Sequence, residues 1–296
     1  MTLTTQAADV SFEAEKLEWR RRLTNTAVTA VLTCVMLTTI AVLIWVLGYV
    51  AAEGLKYLGP EFLTQTPPGN PAQPGGGFIN GIVGSLIVVG IATALSIPVG
   101  VAAAIYFVEY GGRLAQCARF VTDVMVGIPT IVTGAFVYAV WVVNFGFSGI
   151  AGGIALGLIM LPLIVRSVDE MLRLVPNDIR EAALSLGVSR ARAILSVVLP
   201  TASSGIITGI MLAVARAMGE TAPLLLTALG NDLFLELNPD KRMSTLSLQI
   251  FSNAITGFKA AQARAWAGAL TLIILVLLFT LVARLIARRS VMSQGR

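Results

Sequence analysis

Arg180-Glu181-Ala182-Ala183-Leu184-Ser185-Leu186-Gly187, followed by Val197-Val198-Leu199-Pro200, is a polar, arginine-rich stretch lying between strongly apolar segments. Its pattern is Glu-Ala-Ala, three residues, Gly, nine residues, an aliphatic residue, any residue, then Leu-Pro. Pro176 suits the first turn of a helix, and Asn177 and Asp178 add polar and acidic character there. Ala182, Ala183, Leu184 and Leu186 supply apolar contacts. Gly187 is a natural break before a second short helix, expected from Ser189 to Val198. Two helices at an angle, with a surface of small residues, make a shallow knob able to fill a cleft on a partner and follow its motion. The competing reading is an ordinary amphipathic loop at a membrane interface.

The segments on either side decide which surroundings that knob has. The chain has 296 residues, 56% hydrophobic and 12% charged, about half the charge of an ordinary soluble domain. Several apolar stretches reach the ~20 residues a helix needs to cross a bilayer. Six spans are expected: Thr24 to Ala52, Phe78 to Val108, Phe120 to Val143, Ile150 to Val168, Thr201 to Leu229 and Ala265 to Ile286. The fold class is therefore all-α integral membrane. A polar tail (1–23) precedes the helical domain (24–288), whose knob-bearing loop covers about 169–200, and a second tail (289–296) closes the chain. In the first tail Phe12, Glu15 and Trp19 share an approximate helix face.

Arginine and lysine orient the bundle. Lys16, Arg20, Arg21 and Arg22 precede the first span, and Arg113 and Arg119 separate the second from the third. Arg166, Arg173, Arg180, Arg190 and Arg192 lie in or near the loop between the fourth and fifth. Arg284, Arg288, Arg289 and Arg296 end the chain. The opposite loops hold Lys56, Lys241, Arg242, Lys259 and Arg264. This asymmetry puts both termini and the Glu181 loop in the cytoplasm. It also accounts for a net charge of +5 without nucleic acid as a partner.

Two cysteines, Cys34 and Cys117, fall at different depths and offer no disulfide framework. The absence of histidine excludes histidine-based metal ligation and general-base chemistry, and no metal site is expected. Asp9, Glu13, Glu15 and Glu18 stand where a secretory signal would be basic, and the first span is too long for one, so no secretory signal peptide is expected at the N-terminus.

Pro60, Pro67, Pro68, Pro71, Pro74 and a Gly-Gly-Gly run predict an external loop without regular structure over Gly59 to Gly77. Gly230 to Gln262 is a second external segment, with a short helix expected over Leu246 to Ile255. Spans two to five each carry an interior proline: Pro98, Pro129, Pro162 and Pro223. Each frees a carbonyl four residues back, tolerated in lipid only where protein or a water-filled cavity satisfies it. The simplest arrangement places spans two to five around a pathway, with spans one and six outside. The plainer alternative is that membrane helices are simply richer in proline than soluble ones.

Arg216 and Glu220 are four residues apart in the fifth span and so share a helix face. Intramembrane ionisable residues are costly and face a bundle interior or cavity. Gly205, Gly209 and Ala213 on that side permit close helix approach. A guanidinium offers planar donors suited to phosphate or sulfate oxygens. A carboxylate beside it suits an anion that still carries a proton, as phosphate does near neutral pH. A structural ion pair that fixes helix packing is the alternative. Arg166, after Pro162, fits an inner-mouth role or a topology arginine neutralised by Asp169 and Glu170. Glu109 and Asp123 read as interfacial residues.

The Glu181 pattern resembles the cytoplasmic signature loop of the membrane subunits of ATP-binding-cassette importers, in which two short helices dock on the ATPase. The resemblance assigns Glu181, Ala182, Ala183, Gly187, Leu199 and Pro200 to ATPase coupling. Val197 departs conservatively from that family's commoner isoleucine. Ala215-Arg216-Ala217-Met218-Gly219-Glu220-Thr221-Ala222-Pro223-Leu224-Leu225 is similar to the fifth-helix motif of the A-type permease of the phosphate-specific importer. Pro98 to Tyr110, Gly127 to Val132 and Leu161 to Arg166 are similar to it as well. The resemblance implies six transmembrane helices of type I importer permease kind with cytoplasmic coupling helices. It also implies a second, C-type permease subunit, two copies of a cytoplasmic ATPase and an external phosphate-binding protein. It matches Arg216, Glu220 and Arg166 to residues implicated in phosphate passage.

No Gly-x-x-x-x-Gly-Lys-Ser/Thr sequence occurs, so ATP and its magnesium are expected on the partner and no cofactor or enzymatic activity on this chain. The expected function is inward passage of phosphate across the plasma membrane by alternating access. A permease for sulfate or molybdate is the alternative within the class. A stand-alone ion-coupled transporter would predict inverted repeats, which are not visible. A membrane scaffold or sensor is the third class.

Overall fold

The computed structural model describes the backbone of residues 4–294 and the side chains of residues 19–285. It separates into two units, Met1–Ala52 and Glu53–Arg296. The described part of the first is helical, and its helix α1 runs Thr4–Gly54. The part from Trp19 to Gly54 has a mean hydropathy of 2.6 in its most apolar window, enough length and apolarity to cross a bilayer. Four of its threonines fit that setting: Thr24, Thr33, Thr38 and Thr39 each donate to the carbonyl four residues back, which pairs those hydroxyls within the helix. The expected Phe12–Glu15 face and the 289–296 tail fall outside the described side chains.

The second unit runs through α2 (Pro60–Thr64), α3 (Ile79–Ile105), α4 (Gly112–Val126), α5 (Thr130–Val137), α6 (Val143–Phe145) and α7 (Gly149–Arg173). It continues through α8 (Asn177–Ser185), α9 (Arg190–Ala193), α10 (Leu199–Gly219), α11 (Ala222–Thr227), α12 (Leu246–Ala254) and α13 (Lys259–Gln294). Widened π turns extend α3 (Tyr106–Tyr110), join α5 to α6 (Tyr138–Val142) and join α9 to α10 (Ile194–Val198). Among the described residues there is no strand, only an isolated bridge between Leu229 and Met243.

At the centre lies α7, the most buried of the long apolar helices. In its N-terminal half the small residues Gly149, Gly152, Gly153, Ala155 and Gly157 let neighbours approach the backbone. A Cβ on Gly153 would lie 2.5 Å from the Ile91 side chain. Val88 and Ala92 of α3 and Leu156, Met160 and Ile164 of α7 are wholly buried in one core. From the other side α10 presents Gly205 and Gly209 to Met171 and Ser167, leaving no room for a Cβ at either glycine.

Two of the six expected spans need amendment. Five helices are long and apolar enough to cross a membrane, and the third span is instead a pair, Gly112–Val126 and Thr130–Phe145, bent by 105°. The break falls at Gly127-Ile128-Pro129, where Pro129 takes an extended ψ of 134° and caps α5. The fifth span also stops early. α10 ends at Gly219, Glu220 is extended at φ −71°, ψ 129°, and Pro223 lies in the first turn of a separate α11. By contrast Pro98 and Pro162 sit inside unbroken α3 and α7.

Two loop expectations also change. Pro60 opens a short helix, α2, as a residue without an N–H does at no cost, so the Gly59 to Gly77 segment is not wholly irregular. Its remainder is held by Arg264, a buried side chain of α13 that donates to the carbonyls of Gln73 (2.7 Å), Pro71 (2.9 Å) and Gly75 (3.3 Å). The second knob helix is not separate: Arg190–Gly219 is one continuous helical run. The π turn immediately before Pro200 adds a residue where the ladder must accommodate a proline that cannot donate.

Candidate functional site

The first helix break opens onto a cavity that the last turn of α10, just before the second break, also lines. It encloses about 340 Å³ and is lined by Met125, Val126, Ile128 and Thr130 around the first break. Thr133 and Phe136 of α5 and Leu158, Pro162 and Leu163 of α7 line it too, and Arg216 comes from the last turn of α10. Arg216 is its one ionisable lining residue, and the hydroxyls of Thr130 and Thr133 are the other polar side-chain groups. α5 approaches the second break directly: Gly134 faces Pro223 of α11. Interrupted helices leave backbone groups unpaired, which an apolar membrane tolerates only where protein or water meets them.

Arg216 and Glu220 do form a pair, Nε to Oε1 at 3.4 Å, although Glu220 lies one residue beyond the end of α10. The side chains differ in access: Arg216 is 53% exposed and Glu220 16%. The guanidinium is thus the accessible member of the pair and the carboxylate the shielded one. A cation in the last turn also complements the negative end of α10. The broken end is held from the other side by α12, where the Ser247 hydroxyl donates to the Glu220 carbonyl at 2.9 Å. The Thr245 side chain caps α12, and Ser85 of α3 accepts the Leu246 N–H at 2.8 Å.

Arg166 is not in the cavity lining. It follows Pro162 by one turn on the same stripe of α7 and is exposed, with its Nε 3.3 Å from Glu170. Asp169, expected as a second neutraliser of Arg166, is engaged elsewhere. Its Oδ1 accepts from Arg119 of α4 at 2.8 Å and its Oδ2 from Arg173 at 3.0 Å.

The knob itself turns two faces in opposite directions. Ala183 is buried, while Glu181, Ala182, Leu184 and Leu186 are exposed. Leu186 is 84% exposed, a large apolar side chain with no covering within the chain. Gly187 has φ +77°, the left-handed conformation that ends a helix and that a side chain disfavours. Leu199 and Pro200 are half-buried at the foot of α10, behind a buried Val198.

Glu109, read from the sequence as an interfacial residue, is buried and bound to the knob. Arg180 Nε donates to Glu109 Oε1 at 3.0 Å. A lone carboxylate closing the apolar run of α3 was the available signal, but its partner lies 71 residues away and no local pattern joins them. Among the described residues no group of acidic or cysteine side chains is placed to hold a metal ion.

Three comparisons with known proteins bear on this arrangement. Residues 96–291 match the model of the family described as binding-protein-dependent transport system inner membrane component. The chain is 41% identical over 246 residues to the phosphate transport system permease protein PstA of Haemophilus influenzae, covering 82% of this chain and 86% of that protein. It is 40% identical over 276 residues to PstA of Yersinia pestis, covering 92% of each. With PstA 1 of Mycobacterium tuberculosis H37Rv it shares 38% identity, covering 91% of this chain and 89% of that one. Among solved structures, the MetNI methionine ABC transporter in inward-facing form matches with a TM-score of 0.56 at 18% identity, over 72% of this chain and 93% of that one. An amino acid ABC transporter matches with a TM-score of 0.55 at 19% identity, over the same shares. These two likenesses establish the permease fold.

Proposed function

This chain belongs to the family of binding-protein-dependent transport system inner membrane components, and from that premise we propose that it is a permease subunit of an ATP-driven phosphate importer. It is a multi-pass membrane protein. The observation that carries the phosphate reading is a cationic guanidinium, joined by the Thr130 and Thr133 hydroxyls, in a mostly apolar cavity beside breaks in two membrane helices. About 40% identity to PstA proteins over most of the chain supports the same substrate.

Arg216 attracts the anion with planar, charge-assisted donors. Glu220 accepts a hydrogen bond from a protonated oxyanion and weakens the hold enough for release. Arg166, one turn further along α7, receives the anion at the inner mouth. Glu181, Ala182, Leu184 and Leu186 form the surface on which a separate ATPase subunit docks, with Ala183, Gly187, Leu199 and Pro200 shaping the knob. The ATPase carries ATP and magnesium. A C-type permease completes the pathway, two ATPase copies drive it, and an external binding protein delivers phosphate. Both termini and the Glu181 loop face the cytoplasm, following the arginine asymmetry. The domain limits remain 24–288 for the permease domain, with polar tails on either side.

Purification in mild detergent tests the assembly. An ATPase subunit that co-purifies, and whose hydrolysis rises when phosphate-loaded binding protein is added, supports the reading. A chain that transports phosphate with no ATPase bound contradicts it.

A further inference from the structure

Outside the cavity, a second cluster of charged and aromatic side chains surrounds the far end of α3. There the helix widens into the π turn Tyr106–Tyr110 and stops at Gly111 and Gly112, both with positive φ. The widened turn carries Glu109 inward, and its carboxylate is 6% exposed. A buried carboxylate is costly unless it is paired and hydrogen-bonded. Its partner is Arg180, from the first turns of α8, with a side chain 17% exposed.

Arg180 does more than neutralise Glu109. Its Nη2 donates to the Leu172 carbonyl at 2.7 Å, and its Nη1 donates to the Val175 carbonyl and to Asn177 Oδ1. Leu172 is the penultimate residue of α7, so one guanidinium joins the end of α3, the end of α7 and the start of α8. The other half of the knob grips the same turn. Arg190, at the start of α9, lies over the Tyr110 ring at 4.9 Å, and Tyr110 stacks on Tyr106 with ring centroids 5.9 Å apart. Arg119 of α4 sits over Phe107 at 5.3 Å and donates to its carbonyl. Thus the knob's outer surface is open, while its inner surface is bolted to one turn of α3.

We propose that the Glu109–Arg180 pair is the strap through which the Glu181 knob pulls on α3, so that Glu109 and Arg180 are positioning residues converting ATPase motion into opening of the pathway. The proposal rests on the importer reading above. α3 and α7 share one packed core, with Val88, Ala92 and Ala104 of α3 and Leu156, Ile164 and Val168 of α7 buried in it, and α7 lines the cavity. A displacement of the knob delivered to the end of α3 therefore reaches the cavity wall through a packed core, which transmits strain rather than absorbing it. The neighbouring Glu181 makes no such inward contact and is exposed, which separates the docking residue from the transmitting one.

The test is phosphate uptake per ATP hydrolysed, in proteoliposomes of the full complex, for wild type, Glu109→Gln and Arg180→Lys. Glu109→Gln keeps an acceptor for Arg180 but removes the charge; Arg180→Lys keeps the charge but cannot span three acceptor sets. The proposal expects both variants to assemble with the ATPase. It expects hydrolysis stimulated by binding protein to persist, while uptake per ATP falls by about fivefold or more, the scale of ordinary coupling between sites. A merely structural pair would instead lower the yield of complex and reduce uptake and hydrolysis in parallel, which would overturn the proposal. So would an unchanged ratio in both variants. Wild type that takes up no phosphate with ATP would defeat the importer reading itself, which the variants' ratios do not address.

Discussion

Gly134 of α5 and Pro223 of α11 touch so closely that a Cβ on Gly134 would lie 2.6 Å from the Pro223 Cα and 3.0 Å from its carbonyl oxygen. Both atoms are backbone, so no side-chain rotation relieves the contact. The pair holds the second half of the bent third span against the short helix beyond the second break, beside the Arg216 cavity. Gly134→Leu should destabilise the protein by about 1–3 kcal/mol, the usual cost of overpacking, read as a lower unfolding temperature in detergent. Gly48, with open space around its Cβ position, is the control: Gly48→Ala should leave that temperature unchanged or raise it.

Arg216 should matter for transport more than for folding. It is 53% exposed and its bond to Glu220 is long, so its removal leaves Glu220 without a strong partner but opens no core. Arg216→Ala is expected to cut phosphate uptake by about tenfold or more, the worth of one charge-assisted hydrogen bond, with expression and assembly retained. Arg216→Lys should restore only part, since an ammonium lacks the planar fork. Uptake assays on purified complex check both.

Arg264 should behave in the opposite way. It is 4% exposed and ties three carbonyls of the proline-rich segment to α13. Arg264→Ala leaves those carbonyls without their donor and should destabilise by about 2–5 kcal/mol. Limited proteolysis between Pro67 and Gly77 should become fast, while ATPase docking at the distant knob is unaffected.

How far the sequence carried the reading differs from element to element. The long apolar helices were legible because transfer of about twenty residues into lipid leaves a compositional mark. The knob was legible because Gly187 and the Pro176 to Asp178 start are local signals. Pro98, Pro129, Pro162 and Pro223 looked alike, yet two sit in unbroken helices and two stand at breaks. The turn leading into each proline accounts for the difference. Ile97 and Leu161 are flanked by apolar residues that pack α3 and α7 together, and that packing holds each helix through its missing bond. Gly127 lies two residues before Pro129 and Gly219 four before Pro223, and glycine adds freedom in a turn where proline already disfavours continuation. Arg216 and Glu220 were legible as an i,i+4 pair, although the helix ends between them. The Glu109–Arg180 and Arg264 contacts were not, because each joins residues far apart in sequence and depends on tertiary packing alone.

The exposed face of the knob gives a fourth expectation. Leu186 is 84% exposed and Ala182 is also open to solvent, so neither supports the chain's own fold. Leu186→Glu or Ala182→Asp should release the ATPase during purification, through a buried unpaired charge at the contact, while the unfolding temperature of the permease stays that of wild type. Ala183→Asp, on the buried face, should lower both.

The central claim is tested most directly by uptake of labelled phosphate into proteoliposomes holding the full complex and binding protein, with and without ATP inside the ATPase-accessible compartment, and with excess sulfate as competitor. The account predicts uptake that requires ATP, ignores sulfate and collapses in Arg216→Ala. Phosphate uptake that proceeds equally without ATP, or ATP-driven uptake that sulfate abolishes, would contradict it.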